Sequence, residues 1–107
     1  MEFMKIKFPK TITIGSYVFQ VKTDPKSCDG SFNYDDGIIT IGTKKLRTQP
    51  FGVLEIIIHE LKEVIHVEQS TRFRRGDELN NYEFHYSHKE HSELCSRLAG
   101  LLGEFIA

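Results

Sequence analysis

The periodicity of the apolar residues changes near the middle of the chain, and this change limits the folds open to it. Before residue 48 the apolar residues mostly alternate with polar ones, which is the period-two pattern of strands that bury one face. Between residues 51 and 69 they recur every three or four positions, which is the pattern of an amphipathic helix. Because strands come first and helices follow, the sequence predicts an α+β fold, with helices packed on one face of a sheet.

The strand half contains two predicted hairpins. The segment TITIGSYVFQVKT has two alternating stretches separated by Gly15-Ser16, which predicts a hairpin over residues 11–23. The segment SFNYDDGIITIGT predicts a short strand, a turn at Asp35-Asp36-Gly37 and a further strand. We therefore expect a three- to four-stranded antiparallel sheet between about residues 4 and 42.

The second half contains two predicted helices that pack together. Helix one is expected over about residues 49–70, because Pro50 is tolerated in the first turn of a helix. Helix two is expected over about residues 88–106. It begins at a capping box, in which Ser87 and Glu90 satisfy each other's backbone N–H groups. The 107 residues fit a single domain.

Composition argues against nucleic-acid and membrane partners. The chain has 14 Lys and Arg residues against 15 Asp and Glu, and its net charge of −1 gives no broad attraction to phosphates. The short basic segment Arg72-Phe73-Arg74-Arg75 is interpreted as a solvated loop. No apolar run approaches the ~18 residues of a membrane span, and the first ten residues lack the apolar core of a signal peptide.

The two cysteines, Cys28 and Cys95, are far apart in the chain and form no C-x-x-C pair. This spacing indicates neither a disulfide framework nor a zinc ribbon. We expect reduced thiols in a cytoplasmic protein, with Cys95 acting as a small core residue of helix two.

Helix one carries a stripe of side chains suited to binding a metal ion. At about 100° per residue, His59, Glu63 and His66 fall within a sector of about 60°. His59 and Glu63 are four residues apart, so their side chains lie one turn above each other and can reach one ion. Glu60 is one step round the helix, where the peptidase helix His-Glu-x-x-His places its general base.

A simpler interpretation is that these residues form the solvated face of an amphipathic helix. The apolar residues Leu61, Val64 and Ile65 lie on the opposite side, as that interpretation requires. However, Ile56 and Val67 border the polar stripe and make it narrow for a face that only meets water. Both interpretations remain open from spacing alone.

Helix two offers histidines that could complete a metal site. On its helical wheel His88 and His91 share the face of Leu94 and Leu98, which predicts that both imidazoles point inward. A buried imidazole needs a partner, because leaving it unpaired costs on the order of 1–3 kcal/mol. A lone inward histidine is more often hydrogen-bonded in the core, whereas a pair facing helix one also suits a metal bound to His59 and Glu63.

The order of these motifs resembles a known family. The segments DGSFNYDDGIITIG, IIIHELKEVIH and SHKEHSELCSRLAGLLGEF occur in the order found in small zincin-like metallopeptidases of phages and prophages, relatives of repressor-cleaving immunity peptidases. The resemblance covers roughly residues 10–105. It implies a minimal zincin-like core, a location in the bacterial host cytoplasm, and hydrolysis of a protein or peptide by metal-activated water.

The resemblance also implies a role for each site residue. His59, Glu63 and His88 would be the metal ligands and Glu60 the general base. His91 stands where such relatives usually have an apolar residue; it and His66 are left open as ligands that replace or join His88. Zn²⁺ is the expected cofactor. Glu63 stands where the family has histidine, and its carboxylate makes another, harder divalent ion an alternative. The alternative function is a non-catalytic phage-type regulatory or interaction protein with a structural metal or none.

Overall fold

The structure, a computed structural model, describes residues 5–74 and 82–107, with side chains described over 5–72 and 84–107. Residues 1–4, and Arg75 of the basic segment, lie outside the described residues. The elements are, in chain order, β1 (Thr11–Ile14), β2 (Tyr17–Asp24), β3 (Gly30–Asn33), β4 (Ile38–Gly42), α1 (Pro50–Glu68), β5 (Arg72–Arg74), β6 (Tyr82–Phe84) and α2 (His88–Gly103). A four-stranded sheet followed by two helices confirms the predicted α+β class.

The sheet has the strand order β1-β2-β4-β3. Both predicted hairpins are present as antiparallel pairs, β1 with β2 and β3 with β4. The pairing of β2 with β4 is parallel, from Gln20 beside Ile38 to Asp24 beside Gly42, so the mostly antiparallel sheet is mixed. The strand β3 lies at the outer edge, and β4 lies between β2 and β3.

The core lies between α1 and one face of the sheet. In β1, Ile12 and Ile14 are buried while Thr11 and Thr13 are exposed, as the alternating pattern predicts. From α1, residues three or four positions apart meet this face: Val53, Ile57, Leu61 and Val64, each at most 1% exposed. Burying a side chain of this size contributes roughly 1.5–3 kcal/mol.

The helix α2 begins at the predicted capping box. The Ser87 hydroxyl accepts a hydrogen bond from the backbone N–H of Glu90 at 3.2 Å, and the Glu90 carboxylate accepts one from the backbone N–H of Ser87 at 3.0 Å. The helix ends at Gly103, three residues before the predicted end. The residues after it pair with the start of the chain instead, since Ile6 forms a β-bridge with Ile106.

The prediction that helix two points His88 and His91 inward is wrong. Both imidazoles are exposed, and so is Cys95, which was predicted to be a core residue. The helix packs instead through Leu94, 2% exposed, and through the partly buried Leu98. On the helical wheel the centre of this packing face lies about 100° from His88 but only about 40° from His91.

Neither helix in the described ranges has both the length and the apolar character that crossing a bilayer requires.

Candidate metal centre

The middle of α1 brings together three side chains that can ligate a metal. One potential ligand atom each from His59, Glu60 and Glu63 lies within 4.8 Å of the other two. These are the same three α1 residues that the sequence predicts as ligands and general base. Glu63 lies three residues after Glu60 and four after His59 on one helix, which explains why the three side chains converge without help from distant parts of the chain.

The distances suit a shared ion. His59 Nε2 lies 3.0 Å from Glu63 Oε2 and 3.8 Å from Glu60 Oε2. Nitrogen and oxygen ligands at about 2.0–2.2 Å from one tetrahedral zinc ion would be about 3.3–3.6 Å apart, which lies between the two observed distances. The His59 side chain is 65% exposed and that of Glu63 is 20% exposed, so the cluster is open to solvent on the histidine side.

Glu60 is the buried member of this cluster, 5% exposed. No hydrogen bond reaches its carboxylate from the described residues. Burial raises the pKa of the Glu60 carboxyl above its usual value; His59 opposes this shift, Glu63 adds to it and Arg72 opposes it. A carboxylate in this position is stabilised either by a proton or by a cation.

Gly30, which lies opposite Glu60, allows the Glu60 side chain to be buried. Gly30 begins the edge strand β3, and a Cβ atom there would lie 2.8 Å from Glu60 Cγ and 2.6 Å from Ile56 Cγ2. Real Cβ atoms essentially never approach other atoms this closely. Glycine at position 30 therefore lets α1 lie close against β3, with Glu60 at the contact.

Arg72 enters the site from β5. Its Nε lies 3.8 Å from Glu63 Oε1, and its guanidinium carbon lies 5.2 Å from the centre of the Phe32 ring. The side chain is 17% exposed, so the predicted solvated loop is wrong for this residue. Sequence reasoning assigned neither Arg72 nor Gly30 to the metal site, because only the tertiary contacts bring them to the α1 cluster.

Two clefts meet at the cluster. Both are lined by Gly30, His59 and Glu60, and their volumes are about 520 and 580 Å³. Lys45 and Gln49 help to line the first cleft, whereas Phe32 and the Glu63–Arg72 pair help to line the second. Glu60 is therefore open to both clefts. A small molecule or an extended peptide segment can therefore reach this carboxylate from either side.

The helical wheel predicts that His66 lies on the same stripe as His59 and Glu63. In the structure both of its ring nitrogens contact other residues instead. It is 0% exposed; its Nδ1 lies 2.7 Å from Thr71 Oγ1 and its Nε2 lies 2.9 Å from Lys62 Nζ. Burial, followed by the nearby Lys62 charge, lowers the pKa of His66 to about 4. Both ring nitrogens are used, so His66 is a hydrogen-bonded core residue.

The predicted third ligand, His88, does not belong to the cluster of His59, Glu60 and Glu63. It is the exposed first residue of α2, and the centre of its ring lies 6.5 Å from that of His91. The role of His88 as a ligand of the α1 cluster stays a prediction. The structure itself groups His59 with the two glutamates and groups His88 with His91.

Comparison with known proteins leaves the family open. No protein-family model matches the chain, and no curated protein or solved structure matches it at a significant level. The resemblance to zincin-like phage peptidases therefore stays a prediction from the three sequence segments. The chemistry of the site rests on its own geometry.

Proposed function

We propose that this protein is a metal-dependent hydrolase of the metallopeptidase type. His59 and Glu63 hold the ion, and Glu60 acts beside it as the general base. The observation that carries the proposal is the buried Glu60 carboxylate, which lies 3.8 Å from His59 Nε2 at the meeting point of two clefts. Ordinary solvated faces of helices leave their carboxylates exposed, because desolvation of the charge is costly, whereas the Glu60 side chain is only 6% exposed.

The donor set fits a divalent cation. An imidazole nitrogen and a carboxylate oxygen are zinc ligands, and a second carboxylate nearby also suits a harder ion. When bound, such an ion would supply a Lewis acid that polarises a carbonyl and lowers the pKa of a water molecule. It would also balance the two glutamate charges, which His59 and Arg72 offset only in part.

Each residue of the cluster has a separate task. Glu60 Oε2 accepts a proton from a water molecule in the cleft and later returns it to the leaving amine. Its raised pKa suits both steps, since a general base works best when its pKa approaches the working pH. Arg72, on the opposite side of Glu63 from His59, keeps one carboxylate oxygen of Glu63 turned toward itself and the other toward His59.

A peptide is the substrate class that the surroundings favour. The strand β3 lies at the outer edge of the sheet and contributes Gly30, Ser31 and Phe32 to the second cleft. An edge strand presents unpaired backbone groups with which an extended peptide can pair. A peptide held there would run directly past Glu60. The two free, exposed cysteines are consistent with the proposed location in the reducing bacterial cytoplasm.

The variant Glu60→Gln tests this proposal, with Glu93→Gln on the exposed face of α2 as the matched control. Zinc-loaded protein would be incubated with a pool of tryptic peptides from bacterial lysate, and new peptide ends would be counted by mass spectrometry. We expect cleavage by the parent and by Glu93→Gln. Glu60→Gln should lose cleavage by about 100-fold or more, because a general base contributes 10²–10⁴-fold, while keeping its zinc.

Equal cleavage by the parent and Glu60→Gln would contradict the proposed role of Glu60. A parent that holds zinc but cleaves nothing would favour the alternative function, a regulatory or interaction protein in which the ion is structural.

A further inference from the structure

The exposed side of α2 carries an imidazole and a thiol in contact. His91 Nε2 lies 3.7 Å from Cys95 Sγ, and the two residues are one turn apart on the helix. Cys95 is a free cysteine. His88, one turn before His91, is the third donor on this side, with ring centres 6.5 Å apart. The three residues are exposed and do not belong to the α1 cluster.

The separation of nitrogen and sulfur fits a shared metal ion. Sulfur at about 2.3 Å and nitrogen at about 2.0–2.1 Å from one tetrahedral ion would lie about 3.6 Å apart. The observed 3.7 Å is close to this value without any rotation of either side chain. The ligand atoms of His88, His91 and Cys95 do not all lie within 4.8 Å of one another, so the His88 ring, centred 6.5 Å from that of His91, would have to rotate toward an ion held by His91 and Cys95.

The His91 ring is held in place by an aromatic stack that reaches into the core. Tyr86 lies parallel to His91, with ring centres 5.8 Å apart and an angle of 11° between the planes. Tyr86 also lies beside the buried His66, with ring centres 5.2 Å apart. This stack limits the orientations open to the His91 ring, so less ordering is needed when a ligand binds.

We propose that His91, Cys95 and His88 form a second metal site, for a thiophilic ion such as Zn²⁺ or Cu⁺. A thiolate and two imidazoles are soft and borderline donors, whereas the α1 cluster offers carboxylates, so the two sites differ in the ions they prefer. Binding transfers the Cys95 thiol proton to water, because the thiolate is the form that ligates. In this proposal His88 binds the ion of the α2 site and not that of the α1 cluster. The α2 site is independent of the proposed hydrolase activity.

Titration of the reduced protein with Co²⁺ alone tests this site. A cobalt–thiolate bond gives a charge-transfer absorption in the near ultraviolet, which nitrogen and oxygen ligands do not give. We expect this band to rise in the parent, where the α1 cluster can also take up Co²⁺ without contributing to the band, and to be absent in Cys95→Ser. Cys28→Ser, the matched control at the other exposed cysteine, should keep the band, as should the double variant His59→Ala/Glu63→Gln.

The histidines are tested in the same titration. His91→Ala and His88→Ala should each weaken Co²⁺ binding at this band by at least about tenfold, the smallest loss that even outer-sphere partners of metal ligands produce. Far-ultraviolet circular dichroism would confirm that these surface variants are folded. A band that is missing in the parent, or that persists in Cys95→Ser, would overturn the second site. Neither result would affect the α1 proposal, whose assay does not involve Cys95.

Discussion

Glu60 and His66 are both buried on α1, and burial disfavours the charged form of each. For the carboxyl group this raises the pKa, and for the imidazole it lowers the pKa. His66 is stable as a neutral ring because both nitrogens have partners. Thr71 Oγ1 donates to the His66 carbonyl at 3.3 Å and so accepts from His66 Nδ1–H, while Lys62 donates to Nε2. Glu60 has no such arrangement within the described residues, which is why we assign function to Glu60 and structure to His66.

The lowered pKa of His66 predicts a stability that depends on pH. The ordinary value, 6.5, lies above the folded value of about 4, so the unfolded chain takes up a proton first as pH falls. The contribution of His66 to stability is therefore complete above pH 6.5, declines between 6.5 and about 4, and changes no further below. Over this range His66 lowers the free energy of unfolding by about 3 kcal/mol in all. Urea denaturation followed by circular dichroism across this range measures it.

The variant His66→Gln separates this effect from the titration of carboxylates in the same range. It should be less stable than the parent at pH 7 and should show a flatter dependence on pH. The matched control, His88→Gln at the exposed start of α2, should keep the slope of the parent. An identical slope in the parent and His66→Gln would contradict the account of His66.

Among the elements, the contact between α1 and β3 matters most for the site. It depends on Gly30, because the side chains of Ile56 and Glu60 occupy the space that a Cβ atom would need. The strand thus brings an edge with open pairing groups beside the buried carboxylate. The β5–β6 hairpin completes the wall on the other side through Arg72 and its contact with Phe32.

Replacing Gly30 with alanine tests this contact. The added Cβ would have to displace Ile56 or Glu60, so we expect a loss of about 1–3 kcal/mol in the free energy of unfolding, as for other overpacked sites. The matched control is Gly100→Ala on α2, where a Cβ would meet nothing within 4 Å. That variant should gain up to about 1 kcal/mol from helix propensity. Equal effects in urea denaturation would show that the α1–β3 contact is not tight.

The elements that the sequence predicted well are those with strong local signals. The β1–β2 hairpin follows from alternation around Gly15-Ser16, and the start of α2 follows from the Ser87–Glu90 capping box. The orientation of α2 was not predictable in this way. Its wheel has apolar residues over a broad arc, and packing against α1 selects Leu94 and Leu98 as the inward face and leaves His91 outside.

At the scale of the whole molecule, the candidate site lies where the helix layer meets the outer edge of the sheet. The α1 cluster was predictable because His59, Glu60 and Glu63 are close in sequence and helical geometry alone converges them. Gly30 comes from a distant segment, and its position beside α1 depends on the parallel pairing of β2 with β4 and on β3 at the edge, whereas Arg72 lies on β5, which follows α1 and pairs with β6 in a separate sheet. No local sequence pattern predicts the pairing of β2 with β4, since each hairpin forms its own strand pair without it.

The central claim is that the α1 cluster binds a divalent ion, and an anomalous-difference map from crystals grown with zinc tests it most directly. We predict a peak about 2.0–2.3 Å from both His59 Nε2 and a carboxylate oxygen of Glu63, next to Glu60. This peak should vanish in crystals of Glu63→Ala. A map with no peak at His59, or with zinc held only by the histidines and Cys95 of α2, would contradict the claim.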